Sequence, residues 1–65
     1  MAFYIKLSHL ENIEDYVKFA PRIGIWSVVK RKANATKFED LVDALEFLNE
    51  YKIRAIYHNA CITKE

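Results

Sequence analysis

A single cysteine in a chain of 65 residues is the feature that most constrains how this sequence can fold. A domain this short buries only about 60% of the surface of its unfolded chain, so many such domains add disulfides or a structural metal. Cys61 cannot form a disulfide within the chain, and with His9 and His58 it makes a poor set of zinc ligands. We therefore expect no metal, no cofactor, and one domain over residues 1–65 that depends on a dense apolar core or on self-association.

The segment 8–20 has the features of an amphipathic helix. Ser8 stands three residues before Glu11, which is the spacing of a capping box. Pro21 would end the helix, because a residue that precedes proline avoids the α conformation. The apolar residues recur at intervals of three and four along one stripe, which comprises Leu10, Ile13, Val17 and Ala20.

The segment 37–50 is a second and clearer helix. Thr36 and Glu39 repeat the capping-box spacing, and a strong helical pattern follows them. The predicted core stripe of this helix consists of Phe38, Leu41, Val42, Leu45 and Leu48. The two helices hold most of the acidic residues and the rest of the chain is mainly basic, so the two kinds of surface favour different partners.

Three further segments are predicted as strands, and they define the fold class. Phe3–Leu7 alternates at period two, and Ile23–Lys32 is rich in β-branched residues. Ile53–Ile62 is the third strand. The predicted order is β-α-β-α-β, which is an α/β domain whose three-stranded sheet carries both helices on one face. If one strand runs antiparallel, the class is α+β instead.

The uncovered face of the predicted sheet is a candidate for nucleic-acid binding. On the predicted alternation, Tyr4 and Trp26 point outward among cations, an arrangement with which RNA-binding sheets stack bases and neutralise phosphate. The candidate residues are Tyr4, Lys6, Trp26, Lys30, Arg31, Lys32 and Arg54. The structural alternative is that the apolar members of this face are buried in a homodimer closed through the open sheet face.

The second helix offers a different candidate surface. On a helical wheel, Phe47 falls opposite the Leu41–Leu45 stripe and shares its side with Asp40 and Asp43, while Tyr51 lies toward the edge. An aromatic ring on an acidic face is typical of a partner-binding surface. Fixed carboxylates also raise the rate of association with a basic groove. The structural alternative for Phe47 is packing in a seam between helices.

The sequence shows no recognisable catalytic pattern, so we expect a protein that is not an enzyme. One glycine is too few for a phosphate-binding loop, and the serines have no evident histidine and acid companions. The N-terminus lacks the basic start and long apolar run of a secretory signal, and the free thiol favours a reducing compartment. A cytoplasmic location without a membrane span is therefore expected.

Two functional hypotheses follow. The first is a small interaction protein that binds another macromolecule, above all a protein, and modulates or inhibits it, as accessory inhibitors of phages and mobile elements do. Its partner-binding residues would be Asp40, Asp43, Phe47 and Tyr51. The second is a nucleic-acid-binding module that uses the basic and aromatic sheet face. A homodimer is compatible with either hypothesis.

Overall fold

The computed structural model describes residues 2–10 and 12–65, in which it shows four strands and two α-helices. The mixed class and the number of α-helices are as predicted, whereas the number of strands, the order of the elements and the position of one helix differ. The strands are β1 (Phe3–Lys6), β2 (Tyr16–Ala20), β3 (Ile25–Val29) and β4 (Cys61–Lys64). The helices are α1 (Leu41–Glu50) and α2 (Ile53–Ile56), and a short 3-10 helix spans Lys32–Asn34.

The sheet is antiparallel throughout and has the strand order β3-β2-β1-β4. This is the α+β arrangement, with four strands in place of the predicted three. The chain runs through β1, β2 and β3 before it forms α1 and α2, and it then enters β4 beside β1. Both helices lie on one face of the sheet, as expected, because Ile53 of α2 and Leu48 of α1 share one core with Ile5.

The prediction of a helix over residues 8–20 is wrong. The second part of this segment is β2, in which Val17 is fully buried and Lys18 is exposed, the alternation of a strand. β2 is rich in aromatic and β-branched residues, and its pairing with both neighbouring strands overrides the helical spacing. Ser8 caps no helix, and the predicted partner Glu11 lies outside the described residues.

The segment 53–62 is not one strand, which corrects the third strand prediction. α2 occupies its beginning and β4 its end, and a turn separates them. The Arg54 Nε donates a hydrogen bond to the carbonyl of Ala60 at 3.2 Å and closes this turn. Lys52 has a φ of 51°, in the left-handed region, and this residue turns the chain from α1 into α2.

The residues between the 3-10 helix and α1 fill a gap between β1 and β2. These two strands pair at Lys6 and Tyr16 and then separate. Phe38 exchanges two backbone hydrogen bonds with Phe3 of β1, at 2.7 and 2.8 Å. On the other side, the amide of Thr36 donates to the carbonyl of Val17 in β2 at 3.0 Å. This wedge segment, residues 36–38, therefore satisfies backbone groups that the two diverging strands leave unpaired.

The wedge segment also changes the start of the second helix. The Thr36 Oγ1 accepts a hydrogen bond from the amide of Phe19 at 2.7 Å, so this side chain does not cap a helix. α1 begins at Leu41, with Asp40 at its N-cap, four residues later than the sequence predicts. The capping box of Thr36 and Glu39 is therefore a wrong prediction, because β-bridge pairing of Phe38 holds this part of the chain extended.

The sheet face opposite the helices is partly covered, although the sequence predicts an open face. Tyr4, Tyr16 and Ala35 are buried there, and Val29 packs against them. The Tyr4 hydroxyl donates a hydrogen bond to Glu65 Oε2 at 2.8 Å, and the Lys32 Nζ lies 4.9 Å from the centre of the Tyr4 ring. Tyr4 points away from the helices, as predicted, but it is not exposed, because the loop after β3 folds over its ring.

The hydrogen bond between Tyr4 and Glu65 predicts a pH dependence of stability. Together with Lys37 it lowers the pKa of Glu65 below its ordinary 4.5, and together with burial it raises the pKa of Tyr4 above 10.0. The Glu65 contribution to stability is present above pH 4.5 and is lost as the pH falls through the lowered pKa. The Tyr4 contribution is present below pH 10.0 and is lost as the pH rises through the raised pKa. Urea unfolding of Tyr4→Phe should show a free energy of unfolding that depends less on pH at both ends of the pH range. A pH dependence equal to that of the unmodified protein would contradict this assignment.

Candidate protein-binding surface

Helix α1 buries a face that differs from the predicted one. Ala44, Phe47 and Leu48 are buried, and Tyr51 just beyond the helix is half-buried. These four positions have the spacing i, i+3, i+4 and i+7 of a single helical face. The prediction that Phe47 points to solvent opposite the Leu41–Leu45 stripe is therefore wrong.

Aromatic packing explains why Phe47 turns inward. The centre of its ring lies 5.1 Å from that of Phe19 in β2 and 5.4 Å from that of Phe38 in the wedge segment. Tyr51 lies 4.5 Å from Phe47 on the same helical face. The contact with Phe19 is edge-to-face and the other two are tilted, and such aromatic contacts add to the stabilisation that comes from burying a large apolar ring. Phe19 is partly buried and packs against the same core.

The inward turn of Phe47 leaves three aliphatic side chains of α1 in contact with solvent. Leu41, Val42 and Leu45 are 48%, 60% and 39% exposed, although all three belong to the predicted core stripe. Leu41 and Leu45 are one turn apart, and Val42 stands three residues before Leu45, so the three side chains are neighbours. Adjoining exposed aliphatic residues mark a contact surface more often than isolated ones do.

Glu46 adjoins this aliphatic strip, one turn from Val42, and further carboxylates lie elsewhere on the exposed side of the helix. Asp40, Asp43, Glu46 and Glu50 are all exposed. Within the described residues none of them forms an ion pair, and α1 contains no basic residue. Glu46 stands one turn from Glu50 and less than one turn from Asp43, and like charges at this spacing repel. A cationic partner would relieve that repulsion, so the charge of the strip's border is complementary to a basic surface.

The carboxylate at the end of α1 opposes the helix dipole. Glu50 is the last residue of the helix, where the partial charge of the backbone is negative. We predict that Glu50→Lys raises the free energy of unfolding by about 0.3–1 kcal/mol. Chemical unfolding at low salt should show the gain, and concentrated salt should reduce it. Glu50→Gln is the matched control, with a smaller gain expected; a loss of stability in both variants would contradict the prediction.

The aromatic residues predicted for nucleic-acid binding lie on opposite faces of the sheet. Trp26 pairs across the strands with Phe19 and packs in the helix-side core, where its ring lies 6.2 Å from that of Tyr57. Tyr4 is buried on the other face. The prediction that Trp26 and Tyr4 share an outward face is wrong, because β3 pairs with β2 in a register that places Trp26 beside Phe19, on the face that the helices cover.

The predicted cations are also dispersed. Lys30 forms an ion pair with Asp15, and Lys32 lies over Tyr4. Arg54 is on α2, on the other side of the sheet from Lys6, which pairs in β1 with Tyr16 and Cys61. Arg31, exposed, follows β3. The structure therefore does not gather the seven residues into one basic and aromatic surface.

The chemistry available elsewhere on the described surface is limited. One open depression of about 500 Å³ is lined by Asn12, Ile13 and the Asp15–Lys30 pair, with Glu14 beside them. Among the described residues, no group of three histidine, cysteine or acidic side chains could hold a metal ion. In the same residues, no helix has both the length and the apolar character needed to cross a membrane.

Comparisons with protein-family models, with curated proteins and with solved structures found no match to this chain. The geometry and chemistry of α1 thus form the basis of the functional proposal.

Proposed function

We propose that this protein is a small non-enzymatic interaction domain that binds a basic, partly apolar surface of another protein and thereby modulates or inhibits it. The observation that carries the proposal is the exposed aliphatic strip of α1 next to carboxylates that form no ion pair within the described residues. We call this set the α1 surface, and it consists of Asp40, Leu41, Val42, Asp43, Leu45 and Glu46.

The two parts of the α1 surface would have different roles in binding. Covering a half-exposed leucine or valine contributes roughly 1 kcal/mol, so the aliphatic strip supplies affinity. The carboxylates speed association with a cationic surface and exclude acidic ones, and their effect weakens with salt. Asp40 and Asp43 keep the role that the sequence suggests, while Leu41, Val42 and Leu45 replace Phe47 as the apolar contacts. Phe47 and Tyr51 instead hold the helix in place from below.

The experiment uses a model partner of defined chemistry. An amphipathic helical peptide of leucine and lysine is titrated against the protein by calorimetry, and a peptide of the same length made of leucine and glutamate is the control. The lysine peptide should bind and the glutamate peptide should not. Backbone amide shifts in the NMR spectrum should change along α1, around Val42 and Glu46.

Variants test the two parts of the surface separately. Leu41→Ser with Val42→Ser should weaken binding of the lysine peptide about tenfold or more, through loss of apolar contact. Asp43→Asn with Glu46→Gln should weaken it several-fold and reduce its salt dependence. Ile56→Ser is the matched control, since Ile56 is 64% exposed on α2, outside the α1 surface. Equal binding of the two peptides, or equal losses in all three variants, would refute the proposal.

A further inference from the structure

The strand order places β3 at an edge of the sheet. β2 pairs along one side of β3, from Ile25 to Val29, and within residues 2–10 and 12–65 no strand pairs with its other side. An edge of this kind presents backbone donors and acceptors that can pair with an added strand.

Hydrogen bonds of β2 identify which groups of β3 face the free edge. The carbonyl of Val17 and the amide of Phe19 bond to Thr36 in the wedge segment, so these two residues direct their backbone groups away from β3. In an antiparallel pair the direction alternates along the strand. Their cross-strand partners Val28 and Trp26 must therefore direct their own N–H and C=O groups away from β2, toward the free edge.

The composition of β3 leaves this edge unprotected. Edge strands commonly carry a charge, a proline or a bulge that prevents the addition of another strand. β3 reads Ile-Trp-Ser-Val-Val, and it has none of these features. Ile25 is 59% exposed and Val28 is 39% exposed, so apolar side chains on both faces border the free edge. The opposite edge strand, β4, has four residues and carries Lys64.

Cations stand at both ends of this uncharged strand. Arg22 lies in the turn before β3 and Arg31 lies two residues after it, and both are exposed. In the described part of the chain neither forms an ion pair, whereas Lys30 pairs with Asp15. The two arginines would meet the ends of any strand that is added here.

The charges decide between two occupants of the edge. A second copy paired antiparallel along β3 would bring its Arg31 end beside the Arg22 end of the first copy, and like charges placed together destabilise strand pairing. A peptide with acidic residues at its ends would instead place opposite charges there. We propose that the free edge of β3 binds an extended peptide segment that has an uncharged, β-branched core and acidic residues at both ends, as a fifth strand. This edge is separate from the α1 surface, because the main strand contacts of α1 are with β1 and β4, and β2 lies between β1 and β3.

Trp26 is the only tryptophan and reports on binding at this edge. The probe is a nine-residue peptide with alternating valine and threonine in its five-residue core, matching the five residues of β3, and two acidic residues at each end. Two controls keep the core: one has lysines at the ends, and the other is N-methylated at alternate core amides so that it cannot pair along one edge. The acidic peptide should change Trp26 fluorescence saturably, at least about tenfold more tightly than either control. Binding should slow hydrogen exchange of the Trp26 and Val28 amides.

A charge reversal completes the test. Arg22→Glu with Arg31→Glu should exchange the preference, so that the lysine peptide binds more tightly than the acidic one. Leu41→Ser with Val42→Ser should leave peptide binding unchanged, so that this proposal and the α1 proposal can fail separately. Absence of binding at about 1 mM, equal binding of the N-methylated peptide, or protection at β4 instead of β3 would overturn the proposal. A dimer that forms through β3, or single-stranded RNA that binds through the two arginines in preference to the peptide, would also overturn it.

Discussion

Replacing Phe47 with alanine is expected to lower the free energy of unfolding by about 3–5 kcal/mol, the usual cost of removing a buried phenylalanine. The ring is 8% exposed and contacts Phe19, Phe38 and Tyr51, so its loss opens a cavity where β2, the wedge segment and α1 meet. A domain of this size is stable by roughly 3–10 kcal/mol, so the variant should be close to unfolding. Urea unfolding followed by Trp26 fluorescence measures the change.

Two further variants make this result interpretable. Phe47→Leu keeps most of the apolar volume and should lose less stability than Phe47→Ala, and it should remain folded for measurement. Val42→Ala, five residues before Phe47 and on the exposed side of α1, should change the free energy of unfolding by no more than about 0.5 kcal/mol. If Phe47→Ala were as mild as Val42→Ala, Phe47 would lie at the surface, as the helical wheel predicts.

The orientation of α1 links the core to the proposed function. A helix of ten residues has one face to bury, and here the aromatic partners Phe19 and Phe38 decide which face it is. Once Phe47 and Leu48 fill that core, the aliphatic strip that contains Val42 stays partly exposed to solvent. Substitutions at Phe47 and at Val42 should therefore have different effects. A substitution at Phe47 should impair folding, whereas a substitution at Val42 should impair binding and leave the fold intact.

The elements that the sequence predicts correctly have a local pattern with no competing one. β1 alternates without interruption, and only one end differs by a residue from the prediction. The helical spacing at 41–50 is also strong, so a helix is found there. The predicted start of this helix was wrong because Phe38 pairs with Phe3, which is distant in the sequence. The spacing of apolar residues within a segment does not reveal such a long-range hydrogen bond.

The faces were harder to predict than the elements. Leu41, Val42 and Leu45 form as apolar a stripe as the buried residues of α1, so hydrophobicity alone could not choose between the two faces. The signal that could have identified the buried face was the helical spacing of Phe47 and Leu48 with Ala44, one turn before them, and Tyr51, one turn after them. In β3 the outward prediction for Trp26 followed from taking Ile25 and Val29 as inward residues, and the alternate set, which contains Trp26, faces the helices instead.

The segment 8–20 shows how two patterns can coincide. Its apolar residues fit a helix, and Ser8 with Glu11 fits a cap, yet the second part also alternates as a strand does. Long-range pairing with β1 and β3 selects the strand. The same limitation applies to the α1 surface and the β3 edge, because exposure and unpaired backbone groups exist only after the topology is known.

Thr36→Val is expected to lower the free energy of unfolding by about 1–3 kcal/mol, although the two side chains have nearly the same shape. The Thr36 Oγ1 accepts the amide hydrogen of Phe19 at 2.7 Å in a half-buried position, and valine leaves that donor without its partner. The backbone bond from the Thr36 amide to Val17 does not depend on the side chain. Chemical unfolding gives the size of the effect, and Thr36→Ser, which keeps the hydroxyl, is the control that should lose much less.

Hydrogen exchange separates this role from helix capping. If Thr36 closes the gap beside β2, exchange in Thr36→Val should speed up most at the amide of Phe19, with little local change at the first amides of α1. If it capped a helix, the first turn after Thr36 would lose protection instead, and Phe19 would be unaffected. Phe19 contacts Phe47, so the loss of the Thr36 hydrogen bond and a change at Phe47 should affect the same aromatic core. The double variant Thr36→Val with Phe47→Leu should therefore lose an amount of stability that differs from the sum of the two single losses.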